Sequence, residues 1–324
     1  MDMGGMSMAA APDVFSAPFP HPQHGGWLGH MIPGGFFLFW GSWWLLGVFR
    51  LALHASPRAP YVGRAWYDLQ WAPRRVPIEP LFKVLLTFIG INGELWFGHE
   101  SWRSLYGEDG RFIVGNINEW QHSAMYVAFL LSGVVDLIGF YMPPGTLPVG
   151  TEQACLSLAF VVEGTLFAFH LEGAAVNVHA HLLLVLCIFA AAGTLLLEMQ
   201  FPGNVLLGIT RAQLVMLQGV WFMQIARLLF EEHPQWHPGY HGSVMMVPVV
   251  FVACLMAVVA ATFALFVAAR LWQLRSSARS PPYKALRPDE EEAWSANAQR
   301  KEVEVAALAG HDPPRGRIPA AHPE

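Results

Sequence analysis

The sequence predicts an all-α polytopic membrane protein with a bundle of seven transmembrane helices. The first observation is composition: 54% of the 324 residues are hydrophobic and only 13% are charged, whereas soluble proteins carry about 25% charged residues. The second is length, because a helix needs about 20 mostly apolar residues to cross a bilayer. Seven stretches qualify, and no soluble domain fits between them: 28–49, 78–97, 120–141, 152–171, 177–198, 205–230 and 243–272.

Basic residues set the predicted orientation, because Lys and Arg accumulate in loops that stay in the cytosol. The connection after the first span is rich in arginine, and so is the tail beyond the last span: Arg50, Arg58, Arg64, Arg74 and Arg75, then Arg275, Arg279, Lys284 and Arg287. Six helices separate these two segments, so an even number places them on one side. The N-terminus is therefore predicted to be outside the cytosol or lumenal, and the C-terminus cytosolic.

Three regions follow from this pattern. Residues 1–27 form an extracytoplasmic tail rich in Met and His, whose thioethers would suit Cu(I) but which we interpret as disordered. Residues 28–273 form the transmembrane domain, and residues 274–324 form a cytosolic tail that is mostly disordered because it is rich in Pro and charge. No basic stretch precedes an apolar core at the N-terminus, so the first span is expected to direct insertion.

Polar side chains are predicted to concentrate in the extracytoplasmic half of the bundle. The polar cavity is predicted to be lined by His30, Glu94, Gln121, Asp136, Glu198, Gln218 and Gln224. The cytosolic half is expected to be sparser, with Lys83, Asp136, Glu198 and Arg211 near helix ends, where long side chains reach the interface at small cost. Ionisable residues inside a membrane are expensive and mark functional sites.

The strongest candidate site is the stretch from Val161 to His181. Glu163 and His170 are seven residues apart and share one face of a helix. His179 and His181 are two apart, about 200° around a helix, so at most one of them points into the bundle. Imidazoles and carboxylates are zinc ligands, and the predicted metal ligands are His122, Glu163, His170, His179 and His181. Zinc is the expected cofactor.

Other interpretations stay open. The histidines could hydrogen-bond one another and hold helices together without an ion, or the titratable residues could form a proton or cation pathway. A membrane hydrolase with a zinc-bound water and Glu163 as base is a further alternative, as is a scaffold that forms a homodimer through Gly-rich faces. The net charge of −5 gives no reason to expect nucleic acid. Neither nucleotide nor retinal is expected, since the last span lacks the lysine that retinal requires.

Several short motifs in order along the chain resemble the transmembrane protein 45 family, also described as domain of unknown function 716. They are Gly29-His30, Trp120-Gln121-His122-Ser123, Ser132-Gly133-Val134-Val135-Asp136, Glu163-Gly164, His179-x-His181, Leu197-Glu198 and Gln218-Gly219-x-Trp221-Phe222-x-Gln224. The resemblance implies a heptahelical membrane protein and selects the same polar residues. It implies no particular reaction.

Overall fold

The computed structural model describes residues 24–68, 76–96, 102–171, 173–231, 233–237 and 240–279. These residues form seven α-helices and two short 3-10 helices, with isolated bridges as their only β-pairing. The α-helices are α1 (His24–Leu53), α2 (Ile78–Leu95), α3 (Ile117–Tyr141), α4 (Thr151–Ala168), α5 (Ala175–Gln200), α6 (Val205–Phe230) and α7 (His241–Arg279). Each predicted span matches one helix to within a few residues. The Met-rich N-terminus, His99 and the tail beyond Arg279 lie outside the described residues.

Five of these helices are long and apolar enough to cross a membrane: Gly26–Leu53, Val114–Tyr141, Ala175–Gln200, Val205–Phe230 and His241–Ser276. The prediction of an all-α polytopic membrane protein is therefore confirmed. Helices α2 and α4 are shorter, at 18 residues each. Seven crossings and the orientation of the termini stay predictions.

The first six helices pack in an order that differs from their order in sequence. Helix α1 packs on α6, α6 on α5, α5 on α4, α4 on α3, and α3 on α2. Helices α1 and α2 are not among the closely packed pairs, although they are consecutive in the chain. A gap therefore separates α1 from α2 along part of their length.

Glycines allow α1 and α6 to approach closely. A Cβ atom on Gly219 of α6 would collide with the backbone of α1 at Leu38 N and Gly34 O, and one on Gly41 of α1 would approach Met216 N of α6. Small residues at such positions let two membrane helices bring their backbones together. The α1–α6 pair is thus fixed by residues that lack side chains.

Three connections lie at one end of the bundle, which we call the basic end. The N–H of Gly63, after α1, donates to Pro202 O, before α6, at 2.8 Å. Residues 142–150 between α3 and α4 border residues 63–68 across a cleft of about 550 Å³. The opposite end, where α1, α3 and α5 begin, holds most of the described histidines, and we call it the histidine end.

The chain divides into two units after Arg270. The first unit contains the bundle, and α7 contacts it through side chains such as Phe251 on Trp221 and Phe266 on Phe49. Of the second unit, Leu271–Glu324, the described residues 271–279 are helical.

Candidate functional site

Two histidines from different helices meet at the histidine end. His30 lies on α1 and His181 on α5, both half-buried. Their Nε2 atoms are 3.3 Å apart, and the two rings meet edge to face. The other ring nitrogen of each is already engaged, since His30 Nδ1 lies 2.7 Å from Gly26 O and His181 Nδ1 lies 3.0 Å from Asn177 O.

These contacts fix where the protons lie. A backbone carbonyl oxygen only accepts hydrogen bonds, so both Nδ1 atoms carry a hydrogen and donate it. A neutral imidazole has one donor nitrogen and one acceptor nitrogen, so in two neutral rings both Nε2 atoms present lone pairs. Two lone pairs then face each other at 3.3 Å. With these tautomers, the two Nε2 lone pairs could accept a shared proton or bind a cation.

Two further histidines lie near this pair. His122 on α3 and His170, just after α4, lie close enough to His30 to interact with it electrostatically. His122 Nδ1 is 3.3 Å from the Glu94 carboxylate on α2. His179 is exposed, and its Nδ1 hydrogen-bonds Ala175 O. Of the two neighbouring histidines on α5, it is therefore His181 that faces the bundle.

Glu163 lies deeper and has a different partner. It is buried on α4 and accepts a hydrogen bond of 2.7 Å from Gln218 Nε2 on α6. Within the described ranges, no three His, Cys, Asp or Glu side chains converge as a group able to hold a metal ion. The structure therefore does not assemble His122, Glu163 and His170 as one ligand set. The predicted cavity residues Gln121 and Gln224 are both half-buried.

The basic end contains two buried ion pairs formed by four side chains. Lys83 is 4% exposed and pairs with Asp136, which is fully buried, while Glu198 is 4% exposed and lies 2.8 Å from the buried Arg211. The expectation that these four side chains reach the interface at little cost is wrong. The connection after α1 folds back over them, so that Arg211 donates to Arg64 O at 2.6 Å.

Glu79, at the start of α2, is the most heavily bonded carboxylate at this end. It accepts indole N–H donors from Trp40, Trp43 and Trp44 at 2.7–3.1 Å, and the N–H of Tyr67 at 2.7 Å. Four donors satisfy a carboxylate that would otherwise be costly to bury. The three tryptophans offered a signal in the sequence, because an indole only donates and each buried indole needs an acceptor nearby.

Tyr67, in the loop after α1, is also buried against this network. The Tyr67 ring is buried, and its hydroxyl lies 3.4 Å from Arg211. Burial raises the pKa of the Tyr67 phenol, so the hydroxyl keeps its proton. Arg211 also stacks over the Trp44 ring, 4.5 Å from its centroid. These contacts tie the loop, α1 and α6 together at the basic end.

A cavity of about 460 Å³ lies along the gap between α1 and α2. Its walls are mainly apolar, with Phe36 and Phe129 among the lining residues. Glu94 borders it toward the histidine end and Lys83 toward the basic end. The cavity is therefore an apolar space with one charged residue at each end.

The family described as "Family of unknown function (DUF716)" matches residues 149–267. The predicted resemblance to this family is confirmed over these residues. The DUF716 region includes α4, α5, α6 and most of α7, and thus contains Glu163, His170, His181 and Gln218. His30 lies outside the matched region, so the His30–His181 contact joins that region to α1.

Two proteins named "Transmembrane epididymal protein 1" are similar to this chain. The human protein is 30% identical over 116 residues, which are 35% of this chain and 41% of that protein. The rat protein is 26% identical over 218 residues, 64% of this chain and 68% of that protein. The chain thus spans about two fifths of the human relative it matches. Together with the five apolar helices, these relatives indicate an integral multi-pass membrane protein, which is similar to the DUF716 family over residues 149–267.

Proposed function

We propose that this protein is a seven-span membrane protein of the DUF716 family and that it binds a divalent cation of the zinc type at its histidine end. The observation that supports the proposal is the contact between His30 Nε2 and His181 Nε2 at 3.3 Å. Two nitrogens that bind one tetrahedral zinc ion at 2.0–2.1 Å stand about 3.3 Å apart. The two lone pairs are therefore spaced as ligands of a single ion.

Two protein ligands leave coordination positions open for water. A structural zinc site is closed by four protein ligands, so a two-histidine site suits an ion that arrives and leaves. His122 and His170 interact electrostatically with His30 and are the residues expected to take over the ion. The proposed activity is therefore cation binding or passage rather than structural support.

Zinc binding by purified protein tests the proposal. Wild type is expected to bind one Zn²⁺ per chain, and His30→Ala and His181→Ala are each expected to weaken binding at least tenfold. His179→Ala is the matched control, because His179 lies on the same helix but is exposed. Absence of zinc uptake by wild type, or equal loss in all three variants, would overturn the proposal. Thermal unfolding without zinc checks that the variants fold.

A shared proton is the second candidate, and the same 3.3 Å contact favours it. One protonated ring would then donate from Nε2 to the other, as in a step of a proton pathway. Nitrogen-15 NMR of labelled histidines distinguishes the two candidates. A shared proton gives one Nε2–H signal that persists under chelator, whereas a zinc site changes both Nε2 signals when Zn²⁺ is added.

The alternatives from the sequence have less support. A hydrolase needs a carboxylate beside the metal-bound water, but the hydrogen-bond partner of Glu163 is Gln218. Glu94, through His122, is the carboxylate nearer to the histidines. Homodimer formation through Gly-rich faces has no supporting contact in the described residues, where Gly34, Gly41 and Gly219 serve packing within the chain.

Seven crossings are supported by where the connections lie. The N–H of Gly63 bonds Pro202 O, and the α3–α4 connection borders the same loop. The connections after α1, α3 and α5 thus share the basic end. Helices α2 and α4 must then run between the two ends, as crossing helices do. The arginines after α1 support a cytosolic basic end.

A further inference from the structure

The gap between α1 and α2 has the form of a narrow slot, which we call the α1–α2 slot. On α1 it is lined by residues spaced three or four apart from Leu28 to Trp44, and on α2 by residues from Lys83 to Glu94. This spacing puts the lining residues on one face of each helix. The slot therefore runs along both helices rather than across them.

The dimensions of the slot suit one hydrocarbon chain. Sixteen residues separate Leu28 from Trp44, a length of about 24 Å at the helical rise. A volume of about 460 Å³ spread over that length gives a mean cross-section of about 19 Å². The slot is thus long and thin, a shape that matches an extended alkyl chain.

The slot is accessible from the side. Leu28, Ile32 and Phe36 of α1 and Ile89 of α2 all line it and are all exposed. In a bilayer these exposed apolar residues face lipid chains. An alkyl chain can thus enter laterally from the membrane without crossing water.

The charged residues at the two ends of the slot determine which head group a bound amphiphile would carry. At the basic end, Lys83 is buried and already bonded to Asp136 and Ser132, so it offers nothing to an incoming anion. At the histidine end, the Glu94 side chain is 29% exposed, and its one ion-pair partner among the described residues is His122. A carboxylate beside an imidazole attracts a cation. The complementary ligand is therefore an amphiphile with a positive head.

We propose that the α1–α2 slot binds one long-chain amine, with its alkyl chain between the two helices and its ammonium group on the Glu94 carboxylate. A charge-assisted hydrogen bond to a carboxylate is stronger than a neutral one. The amine should therefore bind more tightly than an alcohol of equal length. This site is separate from the His30–His181 contact and does not rest on the proposed cation binding, but it rests on the proposed crossing of the bilayer by α2.

Native mass spectrometry of detergent-purified protein tests the proposal with three probes of equal length: octadecylamine, octadecanol and octadecanoic acid. Wild type is expected to retain one molecule of amine per chain, about tenfold more tightly than the alcohol. The acid is expected to bind most weakly, because its carboxylate faces Glu94. Binding of the acid equal to or tighter than that of the amine would overturn the proposal.

Variants separate the tail site from the head site. Gly29→Leu and Gly93→Leu add side chains inside the slot, and a Cβ at either glycine meets nothing within 4 Å, so both variants should fold. Each is expected to lower binding of amine and alcohol at least tenfold. Gly193→Leu on α5 is the matched control, because its Cβ is equally free but outside the slot. Unchanged amine binding in both slot variants would exclude the site.

The head site has its own variant. Glu94→Gln keeps the size of the side chain but removes its charge, so amine binding should fall about tenfold to the level of the alcohol. Alcohol binding should stay unchanged. An equal loss for both probes, or no loss for the amine, would contradict an ammonium group on Glu94.

Discussion

At the scale of single residues, the basic end shows how an apolar bundle accommodates charge. Lys83, Asp136, Glu198 and Arg211 are buried, and each has an opposite charge within hydrogen-bond distance. A buried charge is tolerated only when it is paired and hydrogen-bonded. These residues therefore depend on one another, and the loss of one partner should cost more than the loss of both.

The Lys83–Asp136 pair tests this dependence. Asp136→Asn leaves the Lys83 ammonium buried without its counterion, and we expect a loss of about 3–5 kcal/mol in the free energy of unfolding. Adding Lys83→Met removes the unpaired charge, so the double variant should recover part of that loss. Denaturant unfolding in detergent of wild type, the two single variants and the double variant measures the four free energies.

An exposed ion pair provides the control. Arg64 Nη1 lies 4.0 Å from Asp68 Oδ2, and both side chains are about half-exposed. Asp68→Asn should therefore change the free energy of unfolding by no more than about 1 kcal/mol.

The buried pair has its own contradicting outcome. If the effects of Asp136→Asn and Lys83→Met on the free energy of unfolding simply add, the two side chains do not interact energetically and the buried pair is not as described.

At the scale of elements, the close contact between α1 and α6 depends on Gly219. A Cβ there would lie against Leu38 N and Gly34 O of α1, and backbone atoms cannot move aside as side chains do. Gly219→Ala is therefore expected to lower the free energy of unfolding by about 1–3 kcal/mol through overpacking, or to push the helices apart.

Gly193 on α5 is the matched position, because a Cβ there meets nothing within 4 Å. Gly193→Ala should be neutral or stabilise by about 0.5–1 kcal/mol, since alanine favours the helix. Thermal unfolding of both variants in the same detergent gives the comparison. Equal midpoints for the two alanine variants would mean that α1 and α6 do not depend on the absence of a side chain at Gly219.

A second link between α1 and α6 is sensitive to pH. Trp27 Nε1 donates to Glu231 at 3.1 Å, and this hydrogen bond lowers the pKa of the Glu231 carboxyl. A lowered folded-state pKa contributes stability above the unfolded-state pKa, about 4.3 for Glu, and loses it as the pH falls through the folded-state pKa.

We therefore expect Trp27→Phe to narrow the difference in unfolding midpoint between pH 6 and pH 3. The carboxyl carbon shift of Glu231, followed by NMR against pH, should move toward the ordinary glutamate value in that variant. Arg227 and His233 also contact Glu231, so part of the lowered pKa should remain. An unchanged titration curve in Trp27→Phe would exclude the tryptophan as the main cause.

At the scale of the whole molecule, the sequence predicts the helices well because bilayer thickness fixes their length. Each apolar stretch matches one helix, and the Asn204 side chain begins α6 by accepting from Leu206 N, a local contact. The order in which the helices pack, by contrast, depends on contacts between residues that are distant in the sequence. Nothing in local periodicity shows that α1 packs on α6 and leaves a gap beside α2.

In the candidate site too, some features follow from helical spacing and others depend on how the helices pack. Helical spacing could show that His179 and His181 point apart, and the structure has His181 turned toward the bundle. Spacing could not show that Glu163 reaches Gln218 rather than a histidine, because that choice depends on the rotation of α4 against α6. Nor could it show the loop from 54 to 68 closing over Arg211.

Single cysteines in the connections between helices determine the number of membrane crossings. Seven crossings place Arg58 and Thr146 on one side and Glu108 on the other. If only the five long apolar helices cross, α2 and α4 do not, and Glu108 joins Arg58 while Thr146 moves to the opposite side. All three residues are exposed in connections between helices, so substitution there should leave the fold intact.

We expect Arg58→Cys and Thr146→Cys to resist a membrane-impermeant maleimide in intact cells and to react after permeabilisation. Glu108→Cys should react in intact cells. The native Cys155, Cys187 and Cys254 lie within helices, and a variant with all three replaced by alanine supplies the background. Reaction of Thr146→Cys in intact cells, together with protection of Glu108→Cys, would replace seven crossings by five and would remove the α1–α2 slot from the bilayer.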